Sequence, residues 1–308
     1  MVEHIWSVSN IQLNNAWLTI GTFDGVHLGH QAILHSLRAG ALAAGVPAVV
    51  LTFHPHPAIV FRKRENASSL TTPDERVKLI GDLGIDYVVT HPFNLQTAGT
   101  SAQDFISLLK SHLGFTWLGV GEDFALGKGR QGDVHYLRGL SEQYSYQLQV
   151  FSPVELEGEV ISSSRIRSAL ADGDVQIASK LLGRPYMVSG EVVQGDGRGR
   201  RIGIPTANLQ VDMEKLIPAS GVYACRAKVG GDLYPAAVNI GVRPTFDGDQ
   251  ATRWVEAHLL DFSSDLYGQR ISLEFIERLR GEQRFSGVDE LIKQIHRDIQ
   301  KTRNIVTS

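Results

Sequence analysis

The stretch 17–44 limits what this chain can fold into more than any other. An apolar run over 17–22 enters a turn punctuated by Gly21, Gly25 and Gly29, and a helical pattern of Ile33, Leu34, Leu37 and Leu42 follows without a break. Glycines let the backbone turn tightly and approach a ligand closely. A helix starting beside His30 would then turn its unpaired N–H groups and positive dipole end toward bound phosphate. The turn carries Phe23 and Asp24, and it ends in His27-Leu28-Gly29-His30. His27 and His30 are three apart, so on a first helical turn they share a face. From there two imidazoles can donate hydrogen bonds to a phosphorus centre that gains charge in its transition state.

The same alternation continues to about residue 151. Strands are expected at 17–22, 48–53, 86–90, 117–121 and 147–151, and helices at 29–44, 73–83, 101–113 and 133–144. Such a pattern predicts a parallel sheet with helices on both faces and ligands at the carboxyl ends of its strands. Residues 163–182 read as two short helices broken at Asp172-Gly173-Asp174, with Gly183 and Pro185 ending the second. The domains are therefore expected to be 1–183 and 184–308. Beyond the boundary the runs 187–194, 221–229, 233–240, 253–260 and 270–277 alternate with a period of two, separated by Gly, Pro, Asn and Asp. That spacing predicts a small antiparallel barrel. An amphipathic helix over 288–299, with Leu291, Ile292, Ile295 and Ile299 on one side, is expected to pack on it.

At 308 residues the chain is long for one core. Its net charge of −3 provides no general attraction to nucleic acid or to anionic membranes, which favours small-molecule substrates. The one cysteine, Cys225, rules out an internal disulfide. No apolar run approaches the roughly 20 residues of a membrane span, and the amino end lacks the apolar core of a signal peptide. A cytoplasmic location follows, while the oligomeric state, weak self-association included, stays open.

Two further segments fit phosphate chemistry. Gly121-Glu122-Asp123-Phe124 follows a strand, which sets Asp123 at the sheet edge. Ile161-Ser162-Ser163-Ser164-Arg165-Ile166-Arg167 opens a helix with hydroxyls that can cap it or bind phosphate, and arginines that can neutralise a pyrophosphate leaving group. Phe53-His54-Pro55-His56-Pro57 invites a zinc reading, but no cysteine or third ligand lies near it in sequence. A pocket wall built from Phe53, Pro55 and Pro57 suits it better.

The second half has its own signature. Gly195 to Gly203 contains Gly197, Gly199 and Arg200 in a cationic loop able to wrap a polyphosphate, and Pro205, Thr206 and Asn208 follow. In extended chain Thr206 and Asn208 point the same way, and two neutral oxygens with ATP phosphates and water make an octahedral magnesium shell. Glu256, His258 and Leu260 alternate onto one strand face, where Glu256 can act as general base toward a substrate hydroxyl.

The turn around His27 and His30 resembles the nucleotidyltransferase superfamily that includes class I aminoacyl-tRNA synthetases. Over nearly its whole length the chain resembles the bifunctional prokaryotic riboflavin kinase/FAD synthetase family. The resemblance rests on Gly-Thr-Phe-Asp-Gly-Val-His-Leu-Gly-His (21–30), Phe-His-Pro-His-Pro (53–57), Ser-Ser-Ser-Arg-Ile-Arg (162–167), Leu-Leu-Gly-Arg-Pro-Tyr (181–186), Gly-Ile-Pro-Thr-Ala-Asn (203–208), Asn-Ile-Gly-Val-Arg-Pro-Thr-Phe (239–246) and Val-Glu-Ala-His-Leu-Leu-Asp-Phe (255–262). It implies a Rossmann-like α/β nucleotidyltransferase domain that adenylylates FMN, followed by a β-barrel riboflavin kinase using ATP and Mg²⁺. By residue match it implies ATP contacts from Gly21, Phe23, Asp24, Gly25, His27, Gly29, His30, Asp123, Ser163, Ser164 and Arg167 in the first site. In the second it implies ATP contacts from Gly197, Gly199, Arg200, Gly203 and Pro205, Mg²⁺ on Thr206 and Asn208, and Glu256 as base. Flavin contacts are implied for Phe53, Pro55, Pro57, Phe124 and Arg280. One departure stands out: the family usually has a second aromatic two positions after Phe124, and this chain has Leu126 there. The resemblance thus implies weaker ring contacts in the adenylyl-transfer site.

Overall fold

Strand β2 (Trp17–Ile20) pairs in parallel with β3 (Ala48–His54) on one side and β5 (Trp117–Gly121) on the other, and this pairing organises the first half of the chain. The computed structural model describes residues 2–61, 68–195, 197, 199, 202–243 and 252–307. Its backbone divides into one unit ending at Ser163 and a second beginning at Ser164.

In the first unit β1 (Glu3–Ile5), β4 (Tyr87–Pro92) and β6 (Gln147–Phe151) complete a six-stranded parallel sheet in the order β1-β4-β3-β2-β5-β6. Helices α1 (Leu28–Ala44), α2 (Pro73–Asp82), α3 (Ala102–Leu113) and α4 (Val134–Gln143) alternate with the strands. Val49, Val50 and Leu51 on β3 are all fully buried, as expected of a strand covered on both faces. Their alternation divides the core. Val49 and Leu51 join Leu18, Phe105 and Leu109 in one cluster, while Val50 joins Leu34, Leu37 and Ile80 in the other. The chain leaves β2 toward β3 and later returns to β5, so the sheet's switch point lies between β2 and β5, where open α/β sheets bind ligands. Each expected strand and helix of this unit is present; β1 is an addition, too short at three residues for its pattern to register.

The second unit begins within α5 (Ser163–Asp172) and continues through α6 (Val175–Leu182) into a closed antiparallel barrel. Its strands are β7 (Tyr186–Val193), β8 (Ala207–Val211), β9 (Gly221–Val229), β10 (Asp232–Arg243), β11 (Thr252–Leu259) and β12 (Arg270–Arg280), in the spatial order β7-β8-β11-β10-β9-β12. Closure leaves no free sheet edge. The sequence pattern did not include β8; only Ala207 and Leu209 of its five residues face the core. The terminal helix α7 (Val288–Thr307) runs eight residues past the expected Ile299. Its fully buried positions are Asp298 and Thr302, whereas Leu291, Ile292, Ile295 and Ile299 are half-buried. An ion pair accounts for the burial of Asp298: Arg280 Nε donates to its Oδ2 at 3.0 Å and Nη2 to the same oxygen at 2.8 Å.

Helices α5 and α6 belong to the packing of the barrel. Leu170, Val175, Ala178, Leu181 and Leu182 are buried, the Leu170 carbonyl accepts from Ala219 N at 2.9 Å, and Arg278 Nη1 donates to the Asp172 carbonyl at 2.9 Å. A fragment of residues 164–308 should therefore give a cooperative thermal transition, and 184–308 should melt well below it. Each large buried side chain lost removes roughly 1.5–3 kcal/mol. Circular dichroism melts of the two fragments provide the check, and equal melting temperatures would contradict this packing.

Candidate active sites

The first site forms where β2 runs out at the switch point. Phe23, Gly25 and Val26 all have positive φ, at 47°, 85° and 45°, so the turn is left-handed at three residues of which only one is glycine. Asp24, between them, is fully buried. Its carboxylate accepts from Leu70 N at 3.2 Å and Thr71 N at 3.1 Å, and the Arg76 guanidinium lies 3.9 Å away. Its place is beneath the turn rather than on the open face. Gly21 lies against the Phe23 ring, 3.1 Å from where its Cβ would stand, and the turn delivers the chain to α1.

The helix begins at Leu28, one residue before the expected start at 29, with His27 as its N-cap. His27 Nδ1 accepts from the His30 backbone N–H at 3.3 Å, which makes Nε2 the donor nitrogen of that ring. The two rings stack at 3.6 Å, with Gly29 tight against the His27 ring at 3.2 Å from its would-be Cβ. Burial, then the neighbouring His27 and the Arg76 guanidinium, hold the His30 imidazole well below the usual histidine range, so it is neutral near pH 7. His30 Nδ1 is enclosed with no hydrogen-bond partner, a situation that folded proteins tolerate chiefly where function requires it.

Other motifs converge on this end of the sheet. The Ser163 hydroxyl donates to the Asp24 carbonyl at 2.9 Å and so ties the serine motif to the turn. Ser164 and Arg167 continue along α5 in the second unit, Ser164 exposed and Arg167 half-buried. At the end of β5 Asp123 is exposed, its carbonyl accepting from Arg130 Nη2 at 2.8 Å, and Phe124 packs on the sheet core. At the end of β3 the half-buried Phe53 meets Phe93 at 5.5 Å between ring centres. His56 caps the single helical turn Pro57–Val60 through Nδ1, 3.1 Å from Ala58 N, and Pro55 and Pro57 are half-buried beside it.

The second site rests on barrel register. Glu256 on β11 stands opposite Asn208 of β8 on one side and Asn239 of β10 on the other. Their neighbours Ala207, Leu209, Val255, Ala257, Val238 and Ile240 are buried in the core, so the three half-buried polar residues share the opposite face. Opposed antiparallel residues have Cβ atoms about 4.5–5.5 Å apart, which makes a contiguous row. His258 is also on this face and its Nδ1–H donates to the Pro205 carbonyl at 2.7 Å, fixing the segment that leads to Thr206. Leu260 lies beyond the strand end, buried in the following turn, and does not join that face.

Two glycines of this segment lie close to Asn208 and Thr206. A Cβ at Gly195 would stand 2.2 Å from Asn208 Nδ2, and one at Gly199 would stand 2.3 Å from the Ile204 carbonyl and 3.2 Å from Thr206 Oγ1. No other residue leaves this room. Gly197 and Gly203 have positive φ and nothing within 4 Å of a would-be Cβ, while Pro205 is exposed; Arg200 lies outside the described residues. Arg280, expected to contact flavin, also has partners within its own unit. Its Nε and Nη2 are held by Asp298, and its Nη1 donates to the Gly281 carbonyl at 3.1 Å, so it anchors the terminal helix. Sequence reasoning gave no role to Arg76, Asn239 or His258. For Asn239 and His258 the signal was present, as polar residues at alternate positions of otherwise apolar strands.

Comparison with known proteins separates the chain along the same lines. The FAD synthetase family model matches residues 9–165 and the riboflavin kinase model residues 182–306. A bifunctional riboflavin kinase/FMN adenylyltransferase of Escherichia coli K12 is 39% identical over 300 residues, covering 97% of this chain and 95% of that protein. Enzymes of the same name from Pseudomonas fluorescens and Bacillus subtilis are 39% and 37% identical over 286 residues, each covering 92% of this chain, with 91% and 90% of the relative covered. A crystal structure from Streptococcus pneumoniae, named a macrolide-efflux protein, aligns with a TM-score of 0.90 at 31% identity and covers 98% of this chain and 99% of its own. Among the described residues no helix is long and apolar enough to cross a membrane.

Leu126, which stands where relatives usually place an aromatic, is a core residue here, 7% exposed and clustered with Ala102 and Phe105. Its Cδ1 is 3.0 Å from where a Cβ on Gly132 would stand, so the side chain packs against that glycine. Leu126→Phe should lower stability by about 1–3 kcal/mol through overpacking and leave nucleotide and flavin affinity unchanged. Thermal melts beside titrations with ATP and FMN test this, and a gain in affinity would place the side chain in the ligand site instead.

Proposed function

The chain belongs to the family of bifunctional riboflavin kinase/FMN adenylyltransferases and converts riboflavin to FMN and FMN to FAD; from that premise we propose how its residues divide the two reactions. The kinase is the barrel, with Glu256 as general base. The observation that carries this assignment is the register that sets Glu256 between Asn208 and Asn239, with Gly195 close over Asn208. In the reaction the Glu256 carboxylate takes the proton of the terminal ribityl hydroxyl while that oxygen attacks the γ-phosphorus of ATP. The bond from the γ-phosphorus to the β–γ bridging oxygen breaks, and ADP leaves.

Thr206 and Asn208 are the residues that would hold Mg²⁺. Their neutral oxygens suit a hard cation, and the side-chain-free space at Gly195 and Gly199 leaves a cradle over them that any larger residue would fill. When bound, the ion neutralises charge on the ATP phosphates. Gly197, Gly203, Pro205 and Arg200 line the loop that wraps them.

Adenylyl transfer belongs to the first unit. A phosphate oxygen of FMN attacks the α-phosphorus of ATP, the bond to the α–β bridging oxygen breaks, and pyrophosphate leaves. His27 and the neutral His30 aid this step as hydrogen-bond donors, with Gly21, Phe23, Gly25 and Gly29 shaping the turn, Asp24 pinning it from beneath, and Ser163, Ser164, Arg167 and Asp123 serving ATP. Phe53, Pro55, Pro57 and Phe124 form the flavin wall. The proposal includes a cytoplasmic location and no nucleic-acid partner, supported by the charge balance of −3, and at most weak self-association.

Glu256→Gln should slow riboflavin phosphorylation by about 10²–10⁴-fold and leave FMN adenylylation intact. His30→Ala should do the reverse, with a loss of about 10²–10³-fold in FAD formation and accumulation of FMN. Chromatographic separation of riboflavin, FMN and FAD after incubation with ATP and Mg²⁺ reads both. Equal loss of the two activities in a folded Glu256→Gln variant would refute the division of labour, and wild-type FAD output from His30→Ala would make that histidine a turn residue only.

A further inference from the structure

We propose that Arg76 is a positioning residue of the adenylyl-transfer site: through Asp24, Thr71 and Thr52 its guanidinium holds the left-handed turn at Phe23–Val26, and thereby fixes the His27 cap and His30. The inference rests on the reading that these histidines handle ATP.

Arg76 is 2% exposed, Thr52 1%, Thr71 3% and Asp24 not at all. Nη1 donates to Thr52 Oγ1 at 3.2 Å and to the Phe53 carbonyl at 3.3 Å, while Nη2 donates to the Thr71 carbonyl at 3.2 Å and faces Asp24 Oδ1 at 3.9 Å. Each of these partners in turn grips the catalytic turn. The Thr52 hydroxyl donates to the Thr22 carbonyl at 2.9 Å, Thr71 Oγ1 accepts from Gly25 N at 3.1 Å, and the Asp24 side chain ties back to Leu70 and Thr71. One side chain thus braces the turn from both ends, across the strand that carries Phe53 and the segment that leads into α2.

Three features point to function rather than to stability. Positive φ at Phe23 and at the β-branched Val26 is unfavourable and persists only where the surroundings over-determine it. Arg76 sits in the first turns of α2, at the positive end of the helix dipole, where a cation is disfavoured; the Thr72–Glu75 capping box already stabilises that end. A buried ion pair is a weak source of stability compared with apolar residues of the same volume. The Arg76 charge also acts on His30, favouring its neutral form alongside burial and His27.

Arg76→Met, Arg76→Lys and the double variant Arg76→Met/Asp24→Asn separate positioning from simple support. In the full chain the readouts are kcat and KM of FMN adenylylation, riboflavin phosphorylation by the barrel as an internal control, and the melting temperature. Misplacing reacting groups by about 1 Å can cost ~10²-fold, so Arg76→Met should lower adenylylation kcat about 10–100-fold. KM for ATP and the kinase rate should stay within about threefold of wild type on the same reasoning. Arg76→Lys should restore part of kcat. The double variant removes the unpaired buried carboxylate, so its melting temperature should rise above that of Arg76→Met while kcat stays low. Full adenylylation in Arg76→Met, or kcat returning together with the melting temperature in the double variant, would overturn the inference. Failure of the site reading looks different, because His30→Ala would then leave FAD formation intact whatever Arg76 does.

Discussion

Parallel hydrogen bonding of β2 between β3 and β5 is the constraint on which the first site depends. It fixes where the chain leaves the sheet, and every ligand-facing group at that end is placed relative to that exit: the turn after Ile20, the Phe53 segment after β3 and Asp123 after β5. Strands buried on both faces cannot slip register without exposing one core cluster or the other, because Val50 and its neighbours Val49 and Leu51 belong to different clusters. The stability of the sheet is therefore also the rigidity of the site.

The barrel reaches a comparable result by antiparallel pairing. Register places Asn208, Glu256 and Asn239 side by side, and closure of the six strands holds that row in place. Gly195 stands close over Asn208, and Gly199 close over Ile204 and Thr206, an approach that depends on the missing side chains at these two positions. His258 links the two parts through the Pro205 carbonyl. In the proposed kinase site Glu256 and Asn208 come from strands and Thr206 from the segment just before β8, while the phosphate-binding part is assigned to a loop, which suits a site that must admit and release two substrates and their products.

Buried polar groups mark the places where the chain departs from simple apolar packing. Asp24 and Arg76 sit beneath the first site, and Arg280 and Asp298 join the terminal helix to the barrel. In both pairs, removing one partner would strand a charge in the interior, a loss of about 3–5 kcal/mol in comparable cases. Asp298 and Thr302 on α7 are more buried than Ile295 and Ile299 beside them, so the helix docks by an ion pair as much as by its apolar stripe.

The sequence by itself determined the alternation of the first half, the barrel texture of the second, and the residues around His27, His30, Thr206, Asn208 and Glu256. Each of these is a local pattern: a period of two or 3.6, a glycine at a turn, a polar residue at a fixed offset. Only the tertiary structure decided that His27 caps its helix, that Leu126 is core, that Arg280 anchors α7, and that α5 and α6 pack with the barrel. It alone brought Arg76 beneath Asp24, two residues 52 positions apart in sequence. Strand β8 and the row it shares with β11 were hidden for the same reason, since a five-residue segment shows its register only when its partners are in place. Periodicity reports which face of an element is apolar, but which distant face it meets depends on chain closure and packing, and no local pattern records that.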